Sequence, residues 1–182
     1  MGHSVLVVPV GALEQYVRAR WVHYDPAWVS TDPGFTHAHV TLLSPWYDAP
    51  SPAALRTVAD VAGSVDPFDF DLARVAAFPN GIIHTPPEPA APFQALTEAL
   101  VAAFEDCIPY DGAFGDPADL VPHLTLDHAL GGVTPDRVRV DLGDLLPVRC
   151  RAETIEWHWY GEGECRVQRV WALGGSRALR PA

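Results

Sequence analysis

The chain has 182 residues, 48% of them apolar, and a formal charge of −11 from 23 acidic and 12 basic side chains. That length supports one substantial core rather than two ordinary domains, and no apolar run approaches the roughly 18 residues of a membrane span. Every basic residue is Arg, which excludes any mechanism through a lysine adduct, and the acidic balance opposes tight, sequence-independent binding to long nucleic acid.

Met1 to Val10 lacks the basic start and cleavage-like stretch of a signal peptide, and Cys107, Cys150 and Cys165 form no CxxC pair. A soluble, monomeric cytoplasmic protein with reduced thiols is expected. The usage of Ala, Pro, Arg and Val suits a GC-rich bacterial genome. Ser4 to Val10 reads as a strand, and Gly11 to Val22 as a helix with Leu13, Tyr16, Val17 and Arg20 at helical spacings. After a Pro- and Asp-containing connection, His37 to Ser44 is extended and Pro45 ends it. Ser51 is an N-cap with Pro52 in the first turn of a helix that closes near Gly63. Phe68, Phe70 and Leu72 alternate with Asp69 and Asp71 as in a half-buried strand, and Asn80-Gly81 signals a two-residue hairpin.

Pro92 opens an amphipathic helix with Phe93, Leu96, Leu100, Val101 and Phe104 on one face, expected to run to about Cys107. Ile108 to Leu120 reads as a loop that walls a strand over Val121 to Ala129. Thr134 caps a segment of undetermined type. Two strands, about Val148 to Tyr160 and Val167 to Leu173, finish the chain, with the turn at Gly161 and Gly163.

The tripeptide His-x-Thr occurs twice, as His39-Val40-Thr41 and His123-Leu124-Thr125, each followed by Leu in an apolar, strand-like run. Side chains alternate along a strand, so each His shares a face with its Thr. A neutral imidazole can deprotonate water, a protonated one can supply a departing alkoxide, and hydroxyls can stabilise charge on non-bridging phosphate oxygens. A single copy is most simply a strand with one polar face. Two copies in matching contexts point to a paired site for phosphodiester chemistry with no cofactor. Each half of the chain holds a strand and helix near one motif, which reads as a duplicated unit with a groove between its halves.

The segments His39-Val40-Thr41-Leu42-Leu43-Ser44-Pro45-Trp46 and Pro122-His123-Leu124-Thr125-Leu126 resemble the two signature motifs of the two-histidine (2H) phosphoesterases, in the 2',5' RNA ligase or RNA 2',3'-cyclic phosphodiesterase branch. The resemblance implies an α+β, bilobal single domain over 1–182. In it, two antiparallel-rich sheets are related by a pseudo-two-fold axis, with a central groove and helices outside. It also implies catalytic roles for His39 and His123 as acid and base, in an order left open, and for Thr41 and Thr125 as phosphate ligands. Metal-independent opening of 2',3'-cyclic phosphates, or cleavage of 2',5'-type diesters on short RNA ends or nucleotide-like small molecules, is the implied activity, with ATP-independent ligation as its reverse.

Relatives often carry a phosphate-contacting basic residue where this chain has His128, after Asp127, so His128 is expected to bind substrate with a titratable charge. Trp46 is expected either to stack on a base or to pack as a core or rim aromatic. Two other classes stay open: a noncatalytic nucleotide or phosphate binder, and a metal-dependent hydrolase using the His37-x-His39 spacing with His123 and Asp127. His84 and His158 read as structural or surface residues, and Cys107 as a core residue at a helix end.

Overall fold

A computed structural model describes residues 2–112 and 120–175. Strand β1 (His3–Pro9) is buried from Ser4 to Val8, as a central strand covered on both faces must be. A 3-10 turn leads into helix α1 (Glu14–Tyr24), and strand β2 (His39–Trp46) returns antiparallel with Pro9 opposite His39. Helix α2 (Pro52–Ser64) starts where predicted, with the Ser51 hydroxyl accepting from the Ala54 N–H at 3.1 Å. Strands β3 (Phe68–Leu72), β4 (Ala76–Ala77), β5 (Ile82–Thr85) and β6 (Pro87–Glu88) precede helix α3 (Ala91–Ala103). Strand β7 (Leu124–His128), helix α4 (Pro135–Leu142) and strands β8 (Val148–Ala152), β9 (Thr154–Tyr160) and β10 (Arg166–Ala172) follow.

Both sheets are antiparallel. The larger has the order β10-β9-β1-β2-β7-β5-β4 and the smaller β6-β3-β8. They are unequal, and the two motif strands lie side by side in the larger one. Helix α1 packs against β7, α3 against β2, and α2 against α3 and β10. The core runs from Leu6, Val8, Val40 and Leu124 in the large sheet to Phe70, Leu72, Phe93 and Leu96 beneath the small one. Among the described residues, no helix is long and apolar enough to cross a membrane.

Several local expectations change, and one left open is resolved. Expected as one strand, Val148 to Tyr160 is broken at Glu153, so that β8 pairs with β3 in the small sheet while β9 pairs with β1 and β10 in the large one. The hairpin at Asn80 has a four-residue loop, Phe78 to Gly81, closed by the Phe78 N–H donating to the Ile82 carbonyl at 2.9 Å. Helix α3 ends at Ala103 because Phe104 leaves helical geometry (φ −128°, ψ 64°) and packs edge-on against Trp46. The segment after Thr134 is a helix, capped by the Thr134 hydroxyl accepting from the Arg137 N–H. Of the expected loop before β7, residues 113–119 lie outside the described residues.

Candidate active site

On β2 and β7, Val40 is opposite Leu124, and both are fully buried. Antiparallel pairing about that point sets Thr41 beside His123 and His39 beside Thr125, so the two motifs meet head to tail. All four motif side chains line one cavity system. A chamber of about 770 Å³ is bounded by Thr41, His123 and Thr125 with Phe78, Asn80 and Tyr110. A second, of about 310 Å³, shares those three motif residues, adds His39, and is walled by Arg20, Trp21, Tyr24, Asp127 and His128.

The two imidazoles are held alike. His39 Nδ1 lies 2.8 Å from the carbonyl of His37, and His123 Nδ1 lies 2.8 Å from the carbonyl of Val121, in each case two residues upstream. A carbonyl only accepts, so both Nδ1 atoms carry hydrogen and both Nε2 atoms are left for proton exchange. Burial is the main force lowering both pKa values. His39 is pushed down to about 3 by burial and then by the neighbouring His158, against the opposing pull of the His37 carbonyl. His123 is lowered by burial against the Val121 carbonyl. Both are therefore neutral near pH 7 in the free groove.

Packing fixes the rings. Phe78 lies edge-on to His123 with centroids 4.9 Å apart and stacks on His84, whose ring is 5.4 Å from that of His123. Behind His39 stand the buried His158, at a centroid distance of 6.0 Å, and Tyr160. Upstream, His37 Nε2 accepts from the Ser30 N–H at 3.1 Å, which leaves Nδ1 to donate to Glu14 at 2.8 Å. Glu14 also accepts from the Ala38 N–H, so α1 fixes the backbone that orients His39. With both ring nitrogens engaged, His37 has none left for a metal.

Thr41 hydrogen-bonds the phenol of Tyr110, a half-buried tyrosine whose pKa is raised by desolvation. Tyr110 has φ 51°, a left-handed conformation that costs a non-glycine residue energy and is typical of strained functional positions. Gly81, with φ +91°, lets the β4-β5 loop approach His128, since a Cβ there would come within 2.9 Å of the ring.

A model of the 2'-5' RNA ligase superfamily matches residues 9–164, a span that contains both motifs and most of the large sheet. The chain belongs to the 2'-5' RNA ligase superfamily. The fold of this superfamily member is similar to that of E. coli LigT complexed with 3'-AMP, at 15% identity and TM-score 0.53 over 94% of this chain and 97% of that one. It is also similar to TT0787 of Thermus thermophilus, at 17% identity and TM-score 0.56 over 96% and 100% of the two chains. A crystal structure described as a phosphoesterase matches at 17% identity and TM-score 0.55 over 94% and 97%. No curated protein sequence matches the chain.

Within the superfamily frame one expectation is corrected. Trp46 is 4% exposed and packs edge-on against Phe104, Trp157 and Trp171, so it is a core residue and not a base-stacking platform. Val40, Leu43 and Trp46 stand opposite Val8, Leu6 and Ser4 of β1, so two irregularities in the β1-β2 register bring Trp46 to the side away from the motif side chains. His128 does line the smaller chamber, with Nδ1 accepting from the Leu130 N–H. The sequence reading missed Tyr110, Tyr24 and the site role of Arg20. Only Arg20 left a signal, as a cation on the buried stripe of a predicted helix.

Proposed function

We infer that this protein is a metal-independent phosphodiesterase that opens 2',3'-cyclic phosphates or cleaves 2',5'-type diesters on short RNA ends or nucleotide-like small molecules. The observation that carries this reading is the pair of imidazoles locked with Nδ1 protonated and Nε2 available, each beside the threonine of the other motif. One neutral Nε2 takes a proton from water, and the water oxygen forms a bond to phosphorus. The P–O bond to the ribose breaks, and its oxygen takes a proton from the other imidazole. The anionic phosphate favours protonation of that second imidazole on binding, which the free groove disfavours. Thr41 and Thr125 donate to the non-bridging oxygens. These residues supply both proton transfers and the charge stabilisation. With a hydroxyl in place of water as the nucleophile, the same steps join a cyclic phosphate to that hydroxyl. Nucleotides are the reasonable class because LigT, of the same fold, has been crystallised with 3'-AMP and with NADP+.

The test is turnover of 2',3'-cyclic nucleotides, cyclic-phosphate-ended oligonucleotides and 2',5'-oligoadenylate with EDTA present. Conversion to phosphomonoesters or cleaved diesters is expected. Absence of turnover across the panel, or its abolition by EDTA with restoration by Zn, overturns the reading.

A further inference from the structure

In the smaller chamber the guanidinium and the carboxylate that face the groove are locked together. Arg20 Nε lies 2.7 Å from Asp127 Oδ2, and Nη2 donates to the Tyr24 hydroxyl at 3.1 Å. That hydroxyl in turn donates to Asp127 Oδ1 at 2.6 Å, which also accepts from the His128 N–H at 2.7 Å. The Asp127 side chain is 2% exposed, and that of Arg20 26%. Among the described residues Arg20 Nη1 has no protein partner, so the guanidinium keeps donors for a ligand while its position is set by the triangle.

This is an unusual wall for an anion-binding groove. Arg20 is the one Arg or Lys among the described residues that line either chamber, and Asp127 is the one carboxylate, so their permanent charges cancel. Both motif histidines are neutral in the free groove, and the chain as a whole carries −11. Each negative charge on a ligand therefore meets a repulsive overall field with no local excess of permanent cation, the imidazoles aside. A phosphodiester carries one such charge. The phosphomonoester formed from a cyclic diester carries nearly two, since its second ionisation falls near pH 6.

We propose that Asp127, by neutralising Arg20 inside the groove, makes the site select ligands with a single phosphate charge and release doubly charged phosphomonoesters. The proposal rests on the phosphoester reading above and goes beyond it. Asp127 is a specificity-determining residue that acts through Arg20, and the enzyme is only weakly inhibited by its own monoester product.

The test compares two inert probes by calorimetry at about pH 7.5, where the monoester is doubly ionised. These are 2'-deoxyadenosine 3'-phosphate and its methyl ester, which share a nucleoside and differ in charge. The wild-type protein is expected to bind the methyl ester at least as tightly as the monoester. Asp127→Asn leaves the guanidinium uncompensated and is expected to move the affinity ratio about tenfold toward the monoester. Arg20→Met leaves the carboxylate uncompensated and moves it about tenfold the other way. The Arg20→Met/Asp127→Asn double variant, neutral again, returns to the wild-type ratio. A purely structural Asp127 would weaken both probes together and leave the ratio unmoved, including in whichever single variant folds. A ratio that stays within about twofold in the single variants, or a wild-type preference for the monoester of about tenfold, overturns the charge-selection proposal alone. Failure of wild-type protein to bind either probe overturns the phosphoester reading itself.

Discussion

Val40 on β2 stands opposite Leu124 on β7, and that one register sets the candidate site. Because the strands are antiparallel, a His-x-Thr centred on Val40 and another centred on Leu124 bring each histidine next to the other motif's threonine. A slip of one residue would send one motif's side chains to the buried face. The sheet thus specifies the constellation before any loop contributes.

His39→Ala and His123→Ala are each expected to lower kcat/KM on a 2',3'-cyclic nucleotide by about 10²- to 10⁴-fold, the usual yield of a positioned acid or base. Nitrogen NMR of the imidazoles should find Nδ1 protonated in both rings. Full activity in either variant, or protonation at Nε2 in the neutral rings, contradicts the assignment.

Thr41→Val and Thr125→Val should each cost about 10²-fold in kcat, as loss of a preorganised donor does. Tyr110→Phe removes a partner of Thr41 and should cost about tenfold or less, nearer the size of one hydrogen bond. Steady-state kinetics separate the two. A Tyr110→Phe loss larger than that of Thr41→Val would make Tyr110 the more important donor.

The rate profile should be displaced to acid pH. Reaction in the forward direction needs one neutral and one protonated imidazole, a state of the free enzyme populated between the two histidine pKa values. Both are depressed below 6.5, with His39 pushed down to about 3. The maximum of kcat/KM is therefore expected below pH 6.5, with a decline through neutrality. A plateau extending to pH 8 would show that the histidines are not depressed.

The same depression links to stability with a definite sign. Above the unfolded histidine pKa of about 6.5 the groups are neutral in both states and the native state keeps its full stability. As pH falls below that value the unfolded chain takes up protons that His39, His84 and His123 resist, so stability is lost toward their folded values. Melting temperatures measured from pH 7.5 down to 5 should fall, and His39→Gln should flatten the slope. A slope unchanged by that substitution argues against a depressed His39 pKa.

Trp46→Ala should destabilise the fold by about 3 to 5 kcal/mol in urea unfolding, because it empties a space between three aromatic neighbours. Trp46→Phe should leave KM for a nucleotide substrate nearly unchanged. A large rise in KM with intact stability would restore the stacking role.

Much of the site was legible because it is built from adjacent residues on regular strands. The face shared by His39 and Thr41 follows from the two-residue period, and the helix at Ser51-Pro52 from its capping chemistry. Trp46 was not legible from that period, because two register irregularities between β1 and β2 separate it from Val40. Nor were Arg20, Tyr24 and Asp127, because they converge only when α1 packs across β7, and no local pattern encodes that crossing. The break at Glu153 was hidden for a similar reason. Continuous β-propensity from Val148 to Tyr160 does not say which neighbour each half will find, and here the halves find different sheets.

The unequal chambers bear on direction. A reactive centre whose two halves are related by a local dyad cannot by itself distinguish one ester oxygen of a phosphodiester from the other. Here His123 borders both chambers while His39 borders only the one walled by Arg20. Left and right are told apart by the walls, so a locally symmetric centre acquires handedness from the helix and loops around it.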